Sequence, residues 1–163
     1  MTKRRMTLGL VIVLLIALAV YLQTTMKETA EKGKPYTLAY YEMNETEHVG
    51  DNSKVVGLID QLPYANERKA VEIDAEGKGV RIQYERPKVE TEDEEVLFHQ
   101  AVLFQMIHNL MYVDYAWSDT VETVTKEEMQ TMYHWSGKRL KEEEFQQKFV
   151  QPIRNDRVKR KEG

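Results

Sequence analysis

Between Met6 and Met26 the chain carries no charged residue, and Leu8 to Leu22 is almost wholly apolar. As a helix, such a run reaches roughly 30 Å, the hydrocarbon thickness of a bilayer. It is apolar on every side and gives way to a polar stretch, so it has no wet face with which to join the surface of a small globular core. Lys3, Arg4 and Arg5 precede it, which favours a cytoplasmic N-terminus and an extracytoplasmic remainder, although Lys27, Lys32 and Lys34 nearly balance the local charge on the far side. Ala17-Leu18-Ala19 has the small-x-small form of a signal-peptidase site, yet Val20, Tyr21 and Leu22 prolong the apolar run beyond it. The expectation is an uncleaved anchor over residues 1–26, with residues 6–26 in the cytoplasmic membrane.

The other residues suffice for one domain. Residues 27–35 alternate charge, Thr and Gly without apolar periodicity and read as a solvated linker. After Met26 there are 20 basic and 27 acidic residues, a net of −7. Such a balance repels phosphate backbones, so no nucleic-acid partner is expected. Cysteine is absent, which excludes disulfides, thiolate metal sites, cysteine nucleophiles and a lipobox cysteine.

Within the domain, residues 36–153, Thr37 to Met43 is rich in aromatic and β-favouring residues and suggests a strand. Asp51, Asn52 and Ser53 offer oxygens to the free N–H groups of a first helical turn. Val55, Val56, Leu58, Ile59 and Leu62 give that helix its apolar face before Pro63. Val71 and Ile73 alternate with Glu72 and Asp74, and Val80, Ile82 and Tyr84 with Arg81 and Gln83. The period of two, with Ala75-Glu76-Gly77-Lys78 between, predicts an antiparallel hairpin in which Gly77 supplies positive φ. From about Glu92 to Met111 apolar residues occupy more than one helix face, which places its second half at the centre of the core. Val113, Tyr115 and Trp117 alternate again and Thr120 to Thr125 follows, a second hairpin. Thr125 and Glu128 fit a capping box opening a helix through Met129 and Met132. Leu140, Phe145 and Phe149 mark a last amphipathic helix before Pro152, and residues 154–163 form a charged, fraying tail. The sum is an α+β domain with an antiparallel sheet of about five strands and three to four helices, preceded by one N-terminal transmembrane helix.

Two strings carry a resemblance. His48-Val49-Gly50-Asp51-Asn52-Ser53-Lys54-Val55, followed by Leu58-Ile59 and Leu62-Pro63, resembles the N-terminal signature of domain-of-unknown-function family 4825. Ala101-Val102-Leu103-Phe104-Gln105-Met106-Ile107-His108-Asn109 resembles its central helix. The similarity runs from about Pro35 to Pro152. It implies an extracytoplasmic domain of Gram-positive bacteria, found as short anchored proteins or lipoproteins, or attached to membrane metallopeptidases that sense β-lactams. Without a lipobox cysteine or a peptidase domain, neither lipid anchoring nor peptidase activity carries over, and the resemblance brings no catalytic residue.

The Asp51-Asn52-Ser53-Lys54 string has two readings. It is a helix cap after a Gly turn, or an anion site in which first-turn N–H groups, Ser53 and the Lys54 ammonium converge on a carboxylate or phosphate. His99 and His108 are nine residues apart, on opposite faces of a helix, and cannot share a metal. Glu95 and His99 share a face at i,i+4, as an exposed charge-complementary pair does. The serines lie in no Gly-x-Ser-x-Gly or Ser-x-x-Lys setting, and no Gly-rich phosphate loop occurs. Neither a catalytic set, a metal site nor a cofactor is expected. The function expected is therefore a membrane-anchored extracytoplasmic binding or sensory module, not an enzyme, with an envelope component or membrane protein as its partner. The alternative is a small cell-envelope hydrolase built around Glu95, His99 and Asp51.

Overall fold

The computed structural model describes residues 36–88 and 93–153. The expected anchor, linker and charged tail lie outside them. Among the described residues no helix is long and apolar enough to cross a membrane. The chain divides between Tyr40 and Tyr41 into two units. What is described of the first is a turn in which the Tyr40 N–H donates to the Thr37 carbonyl at 3.1 Å, entering α1 (Leu38–Tyr41).

The strand expected over Thr37–Met43 is thus a helical turn, continued by a 3-10 turn at Glu42–Asn44. Its N–H groups bond locally, Glu45 to the Glu42 carbonyl at 3.1 Å, so no ladder is available to a neighbouring strand. β-preference is weak against such tertiary demands. Here Tyr41 is 1% exposed with its ring 6.0 Å from that of Phe98, a placement the turn provides.

In the second unit, α2 (Asn52–Asp60) buries Val55, Leu58 and Ile59. Four strands follow, β1 (Arg68–Asp74), β2 (Gly79–Tyr84), β3 (Tyr112–Ala116) and β4 (Val121–Thr125), in the spatial order β1-β2-β3-β4. Both expected hairpins form antiparallel pairs, but β2 and β3 pair in parallel, with Ile82 opposite Tyr115. The sheet is therefore mixed and four-stranded, where an antiparallel one of about five strands was expected. The reason is the connection. A crossover carrying helix α3 (Asp93–Met106) returns the chain to the end from which β2 started, so β3 runs the same way.

Residues 98–107 are buried without interruption, as a helix apolar on all sides requires. Val80, Ile82, Tyr84, Val113, Tyr115 and Trp117 form the buried face of the sheet, and Phe145 packs at 5.8 Å from Phe98. α3 stops at Met106, not Met111. The Thr46 N–H donates to the Met106 carbonyl at 2.8 Å and the Thr46 carbonyl accepts the His108 N–H at 3.0 Å, drawing the chain out of the helix into a short parallel bridge.

The first hairpin turn differs in one respect. Positive φ falls on Lys78 (59°), not on Gly77. Gly77 is needed for space, because its N–H bonds Asp74 Oδ1 at 2.8 Å and a Cβ there would overlap the Asp74 carboxylate. The Thr125–Glu128 capping box opens α4 (Lys126–Met132). α5 (Glu142–Phe145) runs into a π turn at Gln146–Val150, and residues 151–153 stay helical. Pro152 therefore does not end this helix. Proline lacks an N–H and crowds the turn before it, and the widened π turn directly precedes it.

Candidate functional site

Register fixes what the solvent-facing side of the sheet presents. One row across the strands is Asp74, Gly79, Tyr112 and Thr125; the next is Glu72, Arg81, Asp114 and Thr123; the third is Ala70, Gln83, Ala116 and Val121. In the first row the Tyr112 ring lies over Gly79, where a Cβ would overlap it, and its hydroxyl donates to Asp74 Oδ2 at 2.7 Å. The Gly77 N–H and then the Tyr112 hydroxyl hold the Asp74 carboxyl below its ordinary range, while the same bond raises Tyr112. In the second row Arg81 donates twice to Asp114 Oδ2, at 3.2 and 3.0 Å, and Thr123 donates to Oδ1 at 2.7 Å.

In the third row the side chains shrink to Ala at two of four positions, and here the surface sinks. A cavity of about 470 Å³ opens, lined by Lys69, Gln83, Tyr84, Glu85, Ala116, Trp117 and Ser118. This falls within the size range of small-ligand pockets, about 300–1,000 Å³. The layer behind it, on the buried side of the sheet, is braced. Tyr84 and Trp117 stack with ring centroids 4.2 Å apart at 15°. The Arg86 guanidinium stands 5.0 Å from the Trp117 ring, 5.3 Å from Tyr64 and 6.0 Å from Tyr84, a cation–π cluster, and pairs with Glu67. The Trp117 backbone N–H donates to the Thr120 carbonyl at 2.8 Å and the Ser118 backbone N–H to the Arg86 carbonyl at 3.1 Å. At the mouth Lys69 Nζ lies 3.3 Å from Glu85 Oε1, with side chains 58% and 72% exposed. Of these seven the sequence marks Trp117 alone, one of the aromatic set Tyr36, Tyr40, Tyr41, Tyr112, Tyr115, Trp117 and Trp135 that reads as lining a ligand or peptide groove or, more often, as half-buried on a sheet. The other signal is Ala70 and Ala116 at outward positions of alternating strands, which gains meaning only once the register is known.

The Asp51–Lys54 string lies elsewhere, at the start of α2. Asp51 is the cap. Its Oδ1 accepts the Lys54 N–H at 3.3 Å and the Ser53 hydroxyl at 3.0 Å. Asn52 is the first helical residue, and its N–H goes to the Gly50 carbonyl at 3.0 Å. The Lys54 ammonium donates to the Met43 carbonyl. The capping geometry is complete within the chain, and the Ser53 hydroxyl and Lys54 ammonium, which an anion would need, are both engaged there.

His99 and Glu95 are not an exposed pair. His99 is 2% exposed between the rings of Tyr64 at 6.0 Å and Tyr115 at 6.3 Å, and neither ring nitrogen has a hydrogen-bond partner. Burial pushes it down to about 3, and the Pro63 carbonyl opposes this from a position outside hydrogen-bonding geometry. Tyr115, also without a partner for its hydroxyl, is pushed well up by burial. Neither Glu95 nor the exposed Asp51 bonds His99. Among the described residues no three His, Asp or Glu side chains gather where they could hold a metal ion.

A family model described as Domain of unknown function (DUF4825) matches residues 41–132. The chain belongs to that family. The match takes in the α2 cap, both hairpins, α3 and every residue lining the cavity. No curated protein and no solved structure matches the chain.

Proposed function

We propose that this DUF4825 chain is a non-enzymatic binding module that residues 6–26 hold at the outer face of a bacterial cytoplasmic membrane, where the cavity above Ala116 takes up a peptide or envelope component and the domain modulates a neighbouring membrane protein. The observation that carries the reading is the cavity itself: a concave, braced site with mixed polar groups on the solvent side of the sheet. The anchor and the acidic balance after Met26 support its placement. The hydrolase reading is built around Glu95, His99 and Asp51, and neither ring nitrogen of His99 bonds a carboxylate.

The test uses full-length protein in detergent, with Trp fluorescence and calorimetry against soluble peptidoglycan fragments and envelope peptides. Wild type is expected to bind a fragment and Ala116→Leu, which fills the cavity floor, to lose binding while keeping its far-UV spectrum. A fragment that binds Ala116→Leu as well as wild type would place recognition elsewhere. Protease added to intact protoplasts should remove the domain; protection there, with digestion after lysis, would overturn the topology.

A further inference from the structure

Resting on that reading of the cavity, we infer that its ligand presents a free α-amino-acid head, an ammonium and a carboxylate on one carbon, with an extended body lying across the floor. Three observations lead there. Lys69 and Glu85 stand 3.3 Å apart at the mouth, each more than half exposed. An exposed ion pair of this kind holds itself together weakly, so a partner bearing both charges at a similar spacing replaces one screened pair with two. A bare anion gains Lys69 but meets Glu85, and a bare cation meets the reverse.

The second observation separates this ligand from a sugar. Tyr84 and Trp117 are each only 5% exposed and stack on one another on the buried side of the sheet, so they offer the cavity no open aromatic face on which a pyranose ring would lie. The third is the width. Lys69 at the mouth, Gln83 and Ala116 come from three adjacent strands, about 4.8 Å apart each, which gives an elongated body about 10 Å of lateral room beside the Ser118 hydroxyl.

The experiment titrates full-length protein in detergent with three compounds of one shape, each as both enantiomers: ε-N-acetyl-lysine, with its head free; α,ε-di-N-acetyl-lysine, without the ammonium; and ε-N-acetyl-lysine amide, without the carboxylate. The free head should bind in at least one enantiomer and each blocked form should bind at least about tenfold more weakly. Glu85→Gln should erase the preference over the di-acetyl compound, and Lys69→Gln the preference over the amide. Both replaced side chains are exposed, so both variants should keep the wild-type fold by far-UV spectrum. Equal affinity for all three compounds overturns the inference. So does silence toward all three while envelope fragments still bind in an Ala116→Leu-sensitive way, a result that leaves the cavity reading standing; silence toward every probe removes both.

Discussion

His99 and His108 stand nine residues apart on either side of the end of α3, and the fold treats them in opposite ways. His99 is sealed between two tyrosine rings with neither nitrogen answered by a protein group. His108 has Nε2 2.8 Å from Glu45 and Nδ1 3.0 Å from Glu47, while Arg139 spans Glu45 and Glu42 at 2.7 Å each. Its side chain is 37% exposed. Polar contacts are abundant where water competes with them and missing where it does not. Since an unanswered buried polar atom costs far more than an exposed ion pair returns, the residue with fewer contacts should carry the larger stability effects.

The largest is acid sensitivity. In the unfolded chain a histidine takes a proton near 6.5, whereas His99 in the fold does so only at about 3. Between those values the unfolded state binds the extra proton, so stability falls as pH falls, by about 1.4 kcal/mol per pH unit for this one group. Above pH 6.5 the contribution is flat. Denaturation curves at pH 7, 6, 5 and 4 should show this slope in wild type and a slope shallower by that amount in His99→Leu. Parallel slopes would mean that the ring is charged inside the fold and would erase the contrast.

At pH 7, where both forms are neutral, His99→Leu should raise stability by about 1 kcal/mol or more, because it removes two polar atoms that no protein group answers. A loss in urea unfolding would show that the ring's packing outweighs its orphaned nitrogens. On the exposed side, Asp51→Ala should lower stability by about 0.5–2 kcal/mol, since the first turn of α2 loses its acceptor, and Lys54→Ala by no more than about 0.5 kcal/mol. The reverse order, read by the same curves, would move the importance of that string from cap to ammonium. His108→Gln should be the smallest, under about 1 kcal/mol; a larger loss in the same curves would show that water does not compete with these contacts.

The hairpins, the α2 cap and the capping box at Thr125 were legible because each is written within a dozen residues: period-two alternation, an Asp before an apolar face, Thr three before Glu. The buried centre of α3 is legible from its apolar residues on several faces, yet the i,i+4 spacing of Glu95 and His99 points to an exposed pair, and the rings that seal His99 come from distant parts of the chain. Thr37–Met43 misled because aromatic β-preference describes a half-buried setting and not a backbone command. The parallel pairing of β2 with β3 has no local signature, and the cavity depends on it, since Ala116 faces Gln83 only in that register. The Pro152 helix shows a similar limit: the stop signal is real, but a π turn absorbed it.

The parallel seam between β2 and β3 also bears on how the chain reaches this structure. Each hairpin closes a short loop, a step of about 1–10 μs. The seam must close the whole stretch from Glu85 to Met111, whose loop entropy is returned only when α3 is in place. The expected order is therefore hairpins first and seam last. Until it closes, the inner edges of β2 and β3 join the outer edges of β1 and β4 in offering unpaired N–H and C=O groups to other chains. Aggregation during refolding should accordingly rise with substitutions that loosen α3, such as Leu103→Ala, more than with equally destabilising ones in the hairpins, and light scattering during dilution from urea would register the difference.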